Sequence, residues 1–80
     1  MNTVSCELCT MALSYLENML TGNESAEEIT EALANLSSNL PVSFKDECDR
    51  LIAEHGDQIK ELILSELTDP KAICREIGIC

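Results

Sequence analysis

The chain contains few aromatic residues. Of its 80 residues only Tyr15 and Phe44 are aromatic, although 45% are hydrophobic. The core must therefore be built mainly from leucine, isoleucine and methionine, a composition that repacks readily. A chain of this length makes one domain, residues 1–80, close to the size at which an apolar core only marginally outweighs chain entropy.

Basic residues and histidine are also scarce. Five Lys and Arg stand against 15 Asp and Glu, a formal net charge of -10, which is the wrong sign for holding a phosphate backbone and excludes nucleic acid as a partner. With His55 as the single histidine, neither a catalytic triad nor a His-rich metal site can be assembled. The glutamates between Glu24 and Glu31 lack the regular spacing of a calcium loop. We expect no enzyme activity, no cofactor and no metal.

Long apolar runs are missing as well. The longest, such as Leu62-Ile63-Leu64, are far short of the roughly 20 residues that a membrane-spanning helix needs. Met1-Asn2-Thr3 begins no positively charged, apolar leader. We expect a soluble, mature piece of chain.

The apolar residues that are present recur with helical rather than period-two spacing. The first stripe, which Gly22 ends, consists of Leu8, Met11, Ala12, Tyr15, Leu16, Met19 and Leu20. Ser25 and Glu28 have the spacing of a capping box. They open a second helix that Pro41 stops, with the stripe Ile29, Leu33, Leu36 and Leu40.

Three further helices follow in the same pattern. Ser43 can cap a third, which Gly56 closes, with Phe44, Cys48, Leu51 and Ile52 on one face. Asp57 opens a fourth, with Ile59, Leu62, Ile63 and Leu67. Asp69-Pro70 starts a short fifth, with Ile73, Cys74 and Ile77. The sequence predicts a single all-α domain of four to five amphipathic helices.

Five cysteines, paired two and two with one left over, allow 15 arrangements. Cys6 and Cys9 project from one side of the first helix, while Cys74 and Cys80 lie at the other end of the chain. Two disulfides could thus tie the ends together. Closing the first loop would remove on the order of 4 kcal/mol of unfolded-chain entropy, and the second disulfide would remove less once the first exists. The rival interpretations are a thioredoxin-like motif, disfavoured because no strand precedes Cys6, and a zinc site, disfavoured because a second closely spaced pair is absent.

The chain resembles the saposin-like proteins along essentially its whole length. The similarity is carried by Cys-x-x-Cys in the first helix, "NES" and "AEEI" at the start of the second, "NLPVSFKDEC" before the third and "ICREIGIC" at the end. The family's disulfide pattern implies Cys6 with Cys80 and Cys9 with Cys74. Cys48 stands at the fourth family position, but Ser37 occupies the third. The resemblance therefore implies a free thiol at Cys48, which could join two chains in a homodimer of the open form.

The resemblance implies a fold of two helical leaves, one from helices one and five with the start of helix four, and one from helices two and three. A closed form buries the apolar faces, and an open form offers them to lipid. The residues expected to contact lipid are Leu16, Met19, Leu20, Ile29, Leu33, Leu36, Leu51, Ile59 and Ile63.

The implied function is non-enzymatic binding to anionic phospholipid membranes at acidic pH, with fusion, extraction or permeabilisation of lipid. The expected location is the secretory pathway: lysosomal, granular or secreted. The alternatives are a docking activator or insert domain for a lipid hydrolase, and a pore-forming peptide. Amoebic pore-forming members carry a histidine two residues before the final cysteine, where this chain has Gly78. Of the two sequons, Asn23 is a glycosylation candidate, whereas Asn35 lies inside the second helix.

Overall fold

Four α-helices and two short 3-10 helices form the molecule in the computed structural model, which describes residues 3–80. In chain order they are α1 (Thr3–Met19), α2 (Ala26–Leu36), the 3-10 turns Ser37–Asn39 and Val42–Phe44, α3 (Lys45–Leu64) and α4 (Pro70–Glu76). The all-α prediction is confirmed, and the described part of the chain contains no strand. The expectation that Met1 and Asn2 begin no leader lies outside the described residues.

Two of the predicted helix starts are present with their side-chain caps. The Ser25 hydroxyl accepts from the Glu28 amide at 3.2 Å, and the Glu28 carboxylate accepts from the Ser25 amide at 2.9 Å, which completes the capping box. At α4 the Asp69 carboxylate accepts from the Ala72 amide at 3.1 Å, and Pro70 occupies the first turn. Both starts are therefore fixed by local sequence.

The two last helices end in the same left-handed turn. After α4, Gly78 has φ 86°, and the Ile79 amide donates to the Cys74 carbonyl at 3.0 Å. After α3 the corresponding left-handed residue is Glu66, with φ 69°, and the Leu67 amide donates to the Leu62 carbonyl at 3.0 Å. Both are Schellman motifs, whose left-handed residue is usually glycine. Glu66 therefore holds a conformation that its side chain disfavours.

The predicted break at Gly56 is wrong, because α3 runs without interruption from Lys45 to Leu64. A glycine inside a helix costs about 0.5–1 kcal/mol, which is less than the roughly 1.5–3 kcal/mol gained by burying one large aliphatic side chain. Ile59, just beyond the glycine, is fully buried. Packing of the second half of α3 therefore outweighs the local preference for a break.

The boundaries around Pro41 also differ from the prediction. The regular part of α2 ends at Leu36, five residues before Pro41, and the chain continues as the 3-10 turn Ser37–Asn39. Ser43 lies within the second 3-10 turn and does not cap α3, whose N-cap residue is Phe44 without a side-chain hydrogen bond. Two consecutive 3-10 turns thus replace the single cap that the sequence predicted.

The helices associate as two pairs that close on each other. One leaf consists of α1 against α4 and the other of α2 against α3, while α1 also contacts both α2 and α3. The radius of gyration is 11.3 Å, close to the roughly 12 Å expected for a compact chain of this length. The structure is therefore the closed arrangement, with the apolar faces of the two leaves in contact.

Candidate lipid-binding site

The interior between the leaves contains the residues predicted to contact lipid. Five of them are buried in the shared core: Leu16, Ile29, Leu33, Leu36 and Ile59. The other four are partly buried and pack against that core: Met19, Leu20, Leu51 and Ile63. The structure thus brings all nine residues together. In the closed form they contact protein.

The sequence stripe of α1 omitted two core residues, Cys9 and Leu13, and included Tyr15, which lies outside the core. Leu13 has no exposed surface, whereas Tyr15 is 38% exposed. Cys9 is bonded to Cys74 of α4, and Leu13 lies one turn after Cys9 on α1. The side of α1 that carries Cys9 and Leu13 is therefore covered, in addition to the side that faces α2 and α3. Helical spacing counted from Cys9 would have identified Leu13.

Two disulfides close the leaf formed by α1 and α4. Cys6 is bonded to Cys80 and Cys9 to Cys74, with Cα–Cα distances of 4.8 and 6.1 Å. The pairs are those that the family resemblance implies. Their formation leaves none of these four sulfurs as a thiolate for zinc or for redox exchange between Cys6 and Cys9. Neither bond reaches α2 or α3.

Cys48 is a free, buried cysteine near the start of α3. Burial, and then the charge of Asp49, raise the pKa of the Cys48 thiol to about 11, so the thiol is protonated and reacts only slowly in the closed form. Ser37, at the position of the missing disulfide partner, is also buried. Hydrogen bonds from Lys45 and from the Ser37 hydroxyl lower the pKa of the Asp49 carboxylate. A polar connection thus links the end of α2 to α3 where the family has a covalent one.

The turn between α1 and α2 is held by one carboxylate. Glu24 accepts from the Thr21 amide at 2.6 Å, from the Thr21 hydroxyl at 2.9 Å and from the Gly22 amide at 3.0 Å. These bonds lower the pKa of Glu24. Asn23 lies exposed within this turn, so its side chain is accessible to a modifying enzyme. Glu24 thus lies in the turn before α2 and organises it.

Glu17, on α1 near the junction of the leaves, has a pKa shifted in the direction opposite to that of Glu24. Partial burial on α1, and then the charge of Asp69, raise the pKa of Glu17. His55, the single histidine, is half-buried on α3. No three His, Cys, Asp or Glu side chains among the described residues are grouped so as to hold a metal ion. Within residues 3–80 no helix has the length and apolar character needed to span a bilayer.

Comparison with known families agrees with this geometry. The model of saposin-like type B region 1 matches residues 4–36, and that of region 2 matches residues 46–80. The chain belongs to the saposin-like family. The two matched regions divide the chain at the 3-10 turns, between α2 and α3. The saposin-like fold therefore extends over nearly all of the described residues.

Three relatives are similar to the chain over most of its length. It is 40% identical to prosaposin of Mus musculus over 75 residues, 94% of this chain but 13% of that protein. It is 30% identical to saposin-C of Cavia porcellus over 78 residues, which cover 98% of this chain and 95% of saposin-C. It is 29% identical to the non-pathogenic pore-forming peptide amoebapore A of Entamoeba histolytica over 79 residues, 96% of this chain and 77% of the peptide. No solved structure gave a significant match.

Proposed function

We propose that this saposin-like chain is a non-enzymatic lipid-binding protein whose leaves separate at acidic pH to bind anionic membranes. One observation carries the proposal: among the described residues, both disulfides lie between α1 and the C-terminal segment, so only side-chain packing and polar contacts hold the leaf of α2 and α3 in place. That leaf can move away without breaking a covalent bond. An acidic compartment of the secretory pathway would supply the required pH.

Separation of the leaves in water alone is unfavourable. Five of the residues proposed to contact lipid are buried, and exposing them would cost on the order of 10 kcal/mol at about 1.5–3 kcal/mol each. That cost is comparable to the whole stability of a small domain. Acyl chains that cover the same side chains would offset it. The open form therefore depends on the presence of a membrane.

Charge supports an acid requirement. At neutral pH the net charge of -10 opposes approach to an anionic surface. As the pH falls towards the isoelectric point near 4.2, carboxylates protonate, the repulsion fades and a neutral carboxyl enters the interface at lower desolvation cost. We expect binding to rise steeply below about pH 5.5. The rise should persist in His55→Ala, because 15 carboxylates and not one imidazole provide it.

Vesicle flotation tests the proposal. The protein is mixed with neutral or anionic vesicles at about pH 7.5 and about pH 4.5, with His55→Ala in parallel. Binding of both proteins to anionic vesicles at the lower pH alone is the expected result. Association that does not change with pH, or an acid response lost in His55→Ala, would contradict it.

A pore is the second candidate function, favoured by the similarity to amoebapore A. Leakage of a trapped dye, measured together with flotation, separates the two functions: a pore former releases dye as it binds, whereas a protein that only binds or extracts lipid floats without early release. Gly78 stands where amoebic pore formers carry histidine, and its φ of 86° is unfavourable for any L side chain. A histidine gate of that kind is therefore not expected here.

A further inference from the structure

A groove lies on the closed molecule between the first half of α1 and the first half of α3. Its volume is about 330 Å³, at the lower end of the range for small-molecule sites. Apolar side chains from both helices, from the turns before α3 and from the C-terminal segment line it: Leu8, Met11, Ala12, Leu40, Phe44, Leu51 and Ile79. The buried Cys48 thiol also lines the groove. The groove therefore offers an apolar surface to a ligand while the leaves stay closed.

The titratable residues of the groove rim all come from α3 and are Glu47, Arg50, Glu54 and His55. Glu47 and Glu54 both line it, and seven residues along a helix place them about 10 Å apart on the same face. Between them, Arg50 lies 3.9 Å from the Glu47 carboxylate, with both side chains more than half exposed. Glu54 has no ion-pair partner among residues 3–80. The rim thus keeps one carboxylate without a neutralising charge.

The size and charge of the groove restrict its ligand. A volume near the lower limit of small-molecule sites accommodates one alkyl chain and not the two chains of a membrane phospholipid. The Glu54 carboxylate, together with a protein of net charge -10, repels an anionic head group and attracts a cationic one. Both features favour a single-chain molecule with a positive end.

We propose that this groove binds a free single-chain amphiphile with a cationic head group, the chain lying against Met11 and Cys48 and the head group beside Glu54. This binding requires neither acid nor separation of the leaves. It is therefore independent of the membrane function proposed above, and each can fail without the other.

The probe is dodecyltrimethylammonium at neutral pH, without vesicles and below its micelle concentration. Its binding is followed by calorimetry and by amide chemical shifts, with dodecyl sulfate as the anionic partner of equal chain length and tetramethylammonium as the head group alone. We expect one saturable site whose affinity is roughly tenfold higher for dodecyltrimethylammonium than for dodecyl sulfate. An exposed carboxylate should raise the affinity for the cationic head group a few-fold and lower that for the anionic one by a similar factor. The shift changes should be confined to α1, α3, the turn that contains Leu40 and the C-terminal segment around Ile79.

Two variants assign the site to its rim. Glu54→Gln should weaken binding of dodecyltrimethylammonium by about two- to fivefold, and Glu54→Lys should reverse the preference towards dodecyl sulfate. The control is Glu31→Gln, which removes the same charge from an exposed position on α2 and should leave the affinity unchanged. Both positions are exposed on helices, so the far-UV spectrum of each variant should stay that of the parent protein.

Alkylation of Cys48 provides a second measurement inside the groove. Bound dodecyltrimethylammonium should slow the reaction of the thiol with maleimide, because the alkyl chain covers the sulfur. Equal affinity for dodecyl sulfate, an equal loss in Glu31→Gln, or faster alkylation on addition of the amphiphile would each overturn the proposal. Faster alkylation would mean that the amphiphile separates the leaves.

Discussion

At the scale of single residues, two carboxylates hold positions that the fold disfavours. Glu66 has a left-handed backbone after α3, where the equivalent turn after α4 has Gly78. Glu17 is partly buried near the Asp69 carboxylate, which raises its pKa. Each residue lowers the stability of the closed form, and each can be replaced without touching the core.

Glu66→Gly should stabilise the protein. The left-handed backbone costs a non-glycine residue about 1–2 kcal/mol, and this cost disappears in the variant. The greater conformational freedom of glycine in the unfolded chain reduces the gain by about 0.5–1 kcal/mol. We expect a net gain of about 0.5–1 kcal/mol in the free energy of unfolding, measured by urea denaturation. Glu66→Gln is the control, since it removes the charge and keeps the strained backbone. A gain of equal size in that variant would refute the conformational explanation.

Glu17→Gln should change how stability depends on pH. The folded pKa of Glu17 lies above its ordinary value of 4.5, so ionisation costs more in the folded than in the unfolded chain. This penalty is absent below the unfolded pKa and appears as pH rises through the folded pKa. The variant should therefore melt at a higher temperature than the parent at neutral pH, and at the same temperature at about pH 3.5. Glu61→Gln, at an exposed site on α3, should not reproduce this convergence.

At the scale of helices, the sequence predicted every region of helix, and its errors have physical causes. The starts at Ser25 and Asp69 were correct because capping depends on neighbouring residues. The break at Gly56 was wrong because distant packing around Ile59 decided the outcome. Leu13 was missed because the stripe was not counted from Cys9, the residue one turn earlier that joins α1 to α4. Local signals thus predicted the elements, and contacts between elements determined where they continue and which faces they bury.

Ser37→Cys should restore a covalent connection within the leaf of α2 and α3. Ser37 and Cys48 are both buried, and a disulfide between the new thiol and Cys48 would close a loop of about 12 residues, worth about 3 kcal/mol in the chain-entropy model. We expect loss of the free thiol in the intact mass after alkylation, together with a higher melting temperature. Ser37→Ala is the matched control and should be less stable than the parent, because the Asp49 carboxylate loses its hydrogen bond. A Ser37→Cys protein that still alkylates at two sites would contradict this geometry.

At the scale of the whole molecule, one leaf is covalently closed and the other is held by packing. The sequence could not by itself choose among the 15 arrangements of its cysteines; the family pattern implied the pairs that the structure contains. The groove between α1 and α3 was not predicted at all, because it arises from two segments about 40 residues apart that only the folded chain brings together.

Removal of the two disulfides should have unequal effects. Loss of a native disulfide in a small domain costs about 2–5 kcal/mol. The Cys9→Ala/Cys74→Ala protein should lose more stability than the Cys6→Ala/Cys80→Ala protein, with a cost nearer the upper end of this range. The reason is that Cys9 and Cys74 are buried and their truncation also leaves a cavity. Thermal melting of both proteins tests the order. Cys48→Ala calibrates the cost of deleting a buried sulfur that carries no cross-link, and a cost as large as that of either pair would argue against the role of the disulfides.

The Cys6–Cys80 bond also determines how the molecule responds to mechanical force. Its two Cα atoms are 4.8 Å apart although 74 residues separate them in the chain. Tension applied at these two residues passes directly through the sulfur atoms, and the helices between them carry none of it. A pulling experiment should therefore record no unfolding extension until a reductant is added. A tether to the protein at these points would leave the leaves as free to separate as in the untethered molecule.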